Sequence, residues 1–214
     1  MNLLIMGGPG AGKGTMSQKI LSKYNILHIS TGDIFRSEIK QQTELGLLAK
    51  SYIDKGLLVP DEVTNPMVKS FLEKSDHATG YLLDGYPRTL AQAQAFNDLV
   101  AGTDLEIDRV LYMEIPFEVL AQRVTGRRIC KECGAIFHTQ NKPSKVEGVC
   151  DECGGALYQR KDDTLESLTV RVEEYQKSTE PVLGYYTNKG LVRTVNANQS
   201  IDQVWNDVQK ALED

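Results

Sequence analysis

The sequence predicts an α/β protein: a five-stranded parallel sheet flanked by helices, with one inserted minidomain. Short apolar runs alternate with amphipathic helical patterns along most of the 214 residues. Those runs are apolar at nearly every position, as strands covered by helices on both faces must be. Between Thr125 and Asp163 the helical periodicity gives way to Gly, Cys, Lys and short β-like pieces, which marks the insertion.

Leu3 to Met6 reads as the first strand, closed at once by Gly7-Gly8-Pro9-Gly10. Met16, Ile20, Leu21 and Tyr24 then recur on one face of a helix. Ile26 to Ser30 is the second strand. Two helical patterns follow, around Ile34–Ile39 and Leu45–Ile53, closed by Gly56 and Pro60. Asp61 and Glu62 open a further helix, with acids placed where the helix dipole favours them. Pro66 within it predicts a kink or a short first segment. Gly80 to Asp84 is the third strand, Thr89 to Val100 a helix, Arg109 to Ile115 the fourth strand and Phe117 to Val124 a helix. Beyond the insertion, Leu165 to Asn188 reads as a long helix bent at Pro181. Leu191 to Val195 is the fifth strand and Asp202 to Leu212 the last helix, where Trp205, in helical register with Ile201 and Val208, belongs to the core.

A hydrophobic fraction of 41% and a charged fraction of 25% exclude a disordered or collagen-like chain. This length can bury its own core without disulfides or a partner, and no heptad or apolar stripe asks for one, so a monomer is expected. A net charge of −5 argues against a general nucleic-acid binder, although a local basic site remains open. The run Leu3–Met6 falls far short of the ~20 residues that cross a bilayer, and no basic leader precedes it. The expectation is a soluble cytoplasmic protein, without membrane or nucleic-acid partners, whose four cysteines are reduced.

The first chemistry-bearing motif is Gly7-Gly8-Pro9-Gly10-Ala11-Gly12-Lys13-Gly14-Thr15. A phosphate chain needs converging N–H donors at short range, and glycine lets the backbone come that close. A helix starting near Lys13 adds its positive dipole end, and the lysine reaches the β- and γ-phosphates. A glycine turn alone would be only a tight turn; lysine in register after an apolar strand points to nucleotide binding. The strict pattern wants Ser or Thr directly after the lysine. Here Gly14 intervenes, which weakens the case for Thr15 as a direct magnesium ligand.

The second motif is Asp84-Gly85-Tyr86-Pro87-Arg88-Thr89 at the end of the third strand. An acid there, beside a phosphate loop, is placed to organise Mg²⁺. Alone, Asp84 would read as a turn or cap residue; Arg88 beside it fits bound magnesium and phosphate better. Neither Asn141-Lys142 nor Asn188-Lys189 is followed by the aspartate that guanine recognition requires. The third motif is Ser30-Thr31-Gly32-Asp33-Ile34-Phe35-Arg36, in which Thr31 can cap a helix and Arg36 can clamp a phosphate.

The fourth is Cys130-Lys-Glu-Cys133 and Cys150-Asp-Glu-Cys153, with sixteen residues between the pairs. Thiolates two apart on a tight turn grip one side of a metal, and a second knuckle completes a tetrahedron. With all four positions filled by Cys130, Cys133, Cys150 and Cys153, a zinc ion there would be structural, substituting for a core that some forty residues could hardly supply. Buried reduced cysteines or two redox pairs are the plainer alternatives. His28, His77 and His138 share no spacing with one another.

These motifs, in this order and with Gly56-Leu57-Leu58-Val59-Pro60-Asp61-Glu62-Val63 between the third and the second, resemble the adenylate kinase family. The resemblance continues through Arg123-Val124-Thr125-Gly126-Arg127-Arg128, Arg160-Lys161-Asp162-Asp163, Arg171 and Gly184-Tyr185-Tyr186, and so covers essentially the whole chain. It implies a P-loop, nucleoside-monophosphate-kinase-like fold of the long-lid type. The core would be 1–29, 60–125 and 164–214, the AMP-binding segment 30–59, and the zinc-binding lid 126–163. It implies reversible phosphoryl transfer from Mg-ATP to AMP, giving two ADP.

Carried over residue by residue, the resemblance assigns Gly10, Ala11, Gly12, Lys13, Gly14, Thr15, Arg123, Arg127, Ile136, Phe137 and Gln199 to ATP. It assigns Thr31, Arg36, Leu57, Leu58, Val59, Gly85, Tyr86, Pro87, Arg88, Gln92, Arg160 and Arg171 to AMP. Lys13, Asp84, Arg88, Arg123, Arg160 and Arg171 become the catalytic set, with Asp84 organising the Mg²⁺ waters. Tyr86 stands where phenylalanine is expected, and Asn65-Pro66 is unusual but expected to lie away from the motifs. Every arginine except Arg109 and Arg193 falls within or beside the motifs, which reconciles an acidic chain with a cationic site. The alternatives are a UMP/CMP-type kinase, which the resemblance would give a short lid, and a non-catalytic ATP-binding zinc-ribbon module.

Overall fold

A computed structural model describes residues 1–75 and 77–213. In chain order the elements are β1 (Asn2–Met6), α1 (Lys13–Tyr24), β2 (Leu27–Ser30), α2 (Thr31–Gln41), α3 (Glu44–Ile53), α4 (Asp61–Lys74), β3 (Tyr81–Asp84), α5 (Leu90–Val100), β4 (Arg109–Glu114) and α6 (Phe117–Gly126). Three short strands follow, β5 (Arg127–Cys130), β6 (Ile136–His138) and β7 (Leu157–Tyr158). The chain ends with α7 (Leu165–Glu174), a π-helical turn Tyr175–Thr179, α8 (Glu180–Thr187), β8 (Val192–Asn196) and α9 (Ile201–Glu213).

The main sheet has five strands in the order β2-β3-β1-β4-β8, all pairs parallel. Alternate residues of β1 serve opposite faces, as the two-residue strand period demands. Leu3 and Ile5 join Met16 and Ile20 of α1, Leu120 and Val124 of α6, and Val204 and Val208 of α9. Leu4 and Met6 join Val68 and Leu72 of α4, Phe96 of α5 and Tyr186 of α8. Burying one such aliphatic side chain stabilises the fold by roughly 1.5–3 kcal/mol, so the sheet is the rigid part that positions the loops.

Connectivity places the crevice. The loop after β1 leads to α1 on one face, and the loop after β3 leads to α5 on the other. Adjacent strands whose connections depart in opposite directions leave a gap at their carboxyl ends. Ile5 is in register with Asp84, and Asp84 with Ser30, so all three nucleotide-type motifs open at that gap.

Two expectations are corrected. Pro66 does not split off a short first segment: α4 runs unbroken from Asp61 to Lys74. Proline cannot donate to the carbonyl four residues back, but that residue, Glu62, is exposed, so water can serve it. The long helix near the C-terminus deviates before Pro181, not at it. Glu180 N–H donates to Tyr175 O, an i→i−5 bond. The wider turn moves the backbone that the Pro181 ring would meet. It falls where the helix passes the crevice, with Leu168 and Val172 packed on one face of the sheet and Val182 and Tyr186 on the other.

Two smaller units stand on this frame. Helices α2 and α3 share a small core of Phe35, Ala49 and Val59. The segment from β5 to β7 forms a three-stranded antiparallel sheet, order β6-β5-β7, around Cys130, Ala135, Phe137 and Cys150. At its base Gln159 Nε2 donates to Thr125 O at 3.1 Å and Asp163 O at 2.9 Å, tying the end of α6 to the segment that leads into α7. Among the described residues no helix is long and apolar enough to cross a membrane.

Candidate active site and metal centre

The glycine loop rounds the end of β1 with φ of +145° at Gly7, +89° at Gly10 and +95° at Gly12. At Gly10 a Cβ would stand 2.7 Å from Val124 Cγ2, so a larger residue fails on backbone and space alike. Ala11 is buried in the core, and Lys13, Gly14 and Thr15 form the first turn of α1. Lys13 Nζ donates to Gly7 O at 2.7 Å and Gly8 O at 3.0 Å. Burial drives the Lys13 pKa down to about 8. Asp84 opposes this, while Arg88, Arg171 and Arg127 reinforce it.

A cleft runs from Gly7, Pro9 and Lys13 past Arg88 and Arg171 to Thr31, Arg36, Leu57, Leu58, Val59, Gly85, Tyr86, Pro87 and Gln92. Its floor is tied together by one carbonyl. Gly85 O accepts from Thr31 Oγ1 at 2.8 Å and from Arg88 Nε at 2.7 Å. Arg88 O in turn accepts from Thr179 Oγ1 at 3.0 Å, within the π-helical turn. The arginine is thus anchored by backbone contacts on both sides of the crevice. Leu57 is 41% exposed, whereas Val59 is buried in the core of the α2–α3 unit.

Cations crowd this cleft. Burial and, next, the nearness of Arg171 lower the Arg88 pKa to about 10, against the pull of Asp84. Arg160 also falls to about 10, by burial and then Arg36 and Arg127, and its Nε is buried with no hydrogen-bond partner among the described residues. Arg171 is lowered by burial, partly offset by Asp162, whose Oδ2 it meets at 2.9 Å. Arg127 grips Asp163 with two donors, one at 2.9 Å, and the Asp163 side chain is fully buried. Arg36 pairs with Asp33, whose carboxyl stays below its ordinary pKa because Arg36 outweighs the burial that would raise it. Polyphosphate supplies the anionic charge that such a cluster lacks.

Arg123 lies beside the loop: its Nη2 donates to Ala197 O at 2.7 Å, and a Cβ on Gly12 would be 3.8 Å from its Nη1. Burial lowers its pKa. Ile136 of β6 reaches the start of α1, where a Cβ on Gly14 would stand 3.0 Å from its Cδ1. Phe137 is 3% exposed within the small sheet's own core. Gln199 Nε2 donates to Asn196 O at 2.9 Å and Asp207 Oδ2 at 2.8 Å, in the loop that carries Ala197. Ile136 therefore meets the loop helix, and the Phe137 and Gln199 side chains are engaged elsewhere; of the residues assigned to ATP, only Lys13 lines the cleft itself.

Asn65 and Asp61, neither of them assigned to a ligand from the sequence, complete the monophosphate end. Tyr86 Oη donates to Asn65 Oδ1 at 2.9 Å, with Gln92 O at 3.3 Å. Asn65 therefore does not lie away from the motifs; it braces one of them. Asp61 accepts from Thr89 Oγ1 at 2.8 Å and from Gln92 Nε2 at 2.7 Å. In the sequence Asp61 reads as a helix-opening acid inside the Gly56–Val63 segment, and its contacts have no local signal because its partners lie 28 and 31 positions away.

The four cysteines converge. All four Sγ atoms lie within 4.8 Å of one another, with Cys130 to Cys153 at 3.5 Å and Cys133 to Cys150 at 3.6 Å. Metal–sulfur bonds of about 2.3 Å in a tetrahedron separate the sulfurs by about 3.8 Å, so the site fits zinc. The knuckles close through Gly134 N to Cys130 O at 3.2 Å and Gly154 N to Cys150 O at 2.9 Å. At Gly155 a Cβ would lie 2.9 Å from Cys130 Sγ, so glycine lets the two knuckles meet. The backbone N–H of Cys133 lowers the Cys130 pKa to about 7. At Cys133 the N–H of Ala135 favours the thiolate, but the neighbouring sulfurs outweigh it and the pKa climbs to about 12. A divalent cation relieves this conflict, because it stabilises all four thiolates together.

The family model described as adenylate kinase matches residues 5–191. The chain belongs to the adenylate kinase family. It is 49% identical to the adenylate kinase of Carboxydothermus hydrogenoformans over all of both chains. It is 51% identical to that of Caldicellulosiruptor saccharolyticus over 99% of each. It is 50% identical to that of Caldanaerobacter subterraneus subsp. tengcongensis over 99% of this chain and 96% of the relative. Its function is that of an adenylate kinase, a nucleoside monophosphate kinase, in preference to the UMP/CMP-type reading or a non-catalytic zinc module.

Proposed function

We propose that this chain transfers the terminal phosphoryl group of Mg-ATP to AMP, reversibly, inside the arginine-lined cleft. The observation that supports the assignment of roles is the convergence there of Lys13, Arg36, Arg88 and Arg171, with Arg160 close enough to Arg36 to feel its charge. Phosphoryl transfer asks the protein for in-line placement and for cations around the transferring group, not for a nucleophile of its own. ATP would lie along Gly10–Thr15 with Arg123, Arg127 and Ile136 over it, the Phe137 and Gln199 segments supplying backbone. AMP would occupy the slot lined by Thr31, Arg36, Leu57–Val59, Gly85–Arg88 and Gln92. Its phosphate would face Arg88, Arg160 and Arg171.

Magnesium carried with ATP would draw charge from the phosphates, and Asp84, at the strand end beside Lys13, would hold its waters. Zinc on the four cysteines would stiffen the lid and take no part in the chemistry. The core (1–29, 60–125 and 164–214) would stay fixed while 30–59 and 126–163 close over it. Closure excludes the water that would otherwise hydrolyse ATP. Both sites lie within one chain, so a monomer suffices, and four free thiols suit a reducing cytoplasm.

A coupled assay of ADP formation tests the reading, with AMP, CMP and UMP as acceptors. AMP-dependent turnover that collapses in Arg88→Ala and Arg160→Ala is expected. Unchanged turnover in both variants would remove these residues from the site.

A further inference from the structure

Gln92 lies on the cleft floor and is 2% exposed, and both ends of its amide are tied. Oε1 accepts from the Arg88 backbone N–H at 2.7 Å, and Nε2 donates to Asp61 Oδ1 at 2.7 Å. A backbone N–H can only donate and a carboxylate can only accept, so these partners dictate which end is oxygen and which nitrogen. Asp61 is itself fixed, because Thr89 Oγ1 donates to its other oxygen at 2.8 Å while accepting the Gln92 N–H at 3.1 Å. Turning the amide by half a revolution would set N–H against N–H and carbonyl against carboxylate.

A primary amide has two N–H groups and two acceptor sites. One of each is used within the protein, so one of each is left for a ligand. Adenine presents an acceptor (N1) beside a donor (the 6-amino group), which suits an N–H beside a carbonyl. Hypoxanthine, of nearly the same shape, presents the reverse: N1–H beside the 6-oxo oxygen. An amide free to turn would serve either base, and a locked one serves only one.

We propose that Asp61 is a positioning residue for specificity: together with the Arg88 amide it locks the Gln92 side chain so that the monophosphate site accepts a 6-aminopurine and rejects a 6-oxopurine. This rests on the reading above that Gln92 meets the base of AMP. Asp61→Asn is nearly isosteric, but its amide can donate as well as accept, so the lock loses its acidic half.

The test is steady-state phosphoryl transfer from Mg-ATP to AMP and to inosine monophosphate by the wild type, Asp61→Asn and Gln92→Leu. In Asp61→Asn the ratio of kcat/KM for AMP over the inosine nucleotide should fall roughly tenfold, carried by KM. An unchanged ratio overturns the lock, and so does an equal loss with both acceptors, which would make Asp61 merely structural. Gln92→Leu separates the two levels. A wild-type ratio there means that the base does not meet Gln92, whereas an altered ratio with a normal one in Asp61→Asn rejects the lock alone. Should Asp61→Asn not fold, side-chain amide NMR of the wild type decides. A coupling from the Gln92 amide to the Asp61 carboxylate, kept when AMP binds, supports the lock; rotational averaging of the two amide protons overturns it.

Discussion

Tyr86 donates its hydroxyl to the side-chain oxygen of Asn65 at 2.9 Å, joining the turn after β3 to the middle of α4. Each residue alone departs from the pattern the resemblance implies, and together they make one interaction. Burial, with Asp61 adding in the same sense, holds the Tyr86 pKa above its ordinary value, so the phenol keeps the proton it donates. Tyr86→Phe should cost about 1–2 kcal/mol, the lost bond plus an Asn65 oxygen left unsatisfied. Asn65→Ala should cost a similar amount, and the double variant little more than either. Urea denaturation of the four proteins gives the coupling directly; strictly additive losses would mean that the two do not act as a pair.

A pH effect follows from Lys13. Its pKa in the folded protein is about 8, against an ordinary value of 10.5. Between those values the unfolded chain binds a proton that the folded chain does not. Lys13 therefore makes stability rise with pH across that window and contributes no slope below it. Bound phosphate should return the proton. Calorimetry of ATP binding at about pH 8.5, in two buffers of different ionisation heat, should show proton uptake that Lys13→Met abolishes.

The unpartnered, buried Arg160 Nε predicts a kinetic signature. Arg160→Ala should lower kcat by roughly two to three orders of magnitude. Because Nε has no hydrogen-bond partner among the described residues to strand, and Asp162 and Asp163 are held by Arg171 and Arg127, Tm should change little. A large fall in Tm with near-normal kcat would make Arg160 a scaffold residue.

Metal removal should separate lid from core. A mercurial with a chelator should release about one zinc per chain and lower Tm. The main sheet has its own two cores, so far-UV circular dichroism should be largely kept at room temperature. Elemental analysis that finds no metal in protein purified without chelator would contradict the zinc assignment.

What the sequence made legible was whatever repeats at short range. The strands of the main sheet, the glycine loop and the cysteine knuckles each lie within a few residues, so periodicity and spacing reveal them. Asp84 and Arg88 were readable because a strand end and its turn are contiguous. The clamp of Asp61 on Gln92, the bond of Thr179 to the Arg88 carbonyl and the pairing of Arg127 with Asp163 were not. Their partners come from elements that only the fold brings together. Pro66 and Pro181 show the same limit in another form. The local rule for proline names the missing N–H correctly, but exposure at Glu62 and a widened turn at Tyr175–Thr179 decide how the chain absorbs it.

Gly14 stands where the strict phosphate-loop pattern has a hydroxyl residue, and the side chain that comes down on that bare position is Ile136. The vacancy beneath the isoleucine works as a doorstop recess. A serine or threonine there would bring its Cβ to 3.0 Å from the isoleucine Cδ1, so the isoleucine would have to give by a few tenths of an ångström. The next hydroxyl stands one place along, on Thr15, and the bare Gly14 leaves the close approach of Ile136 undisturbed.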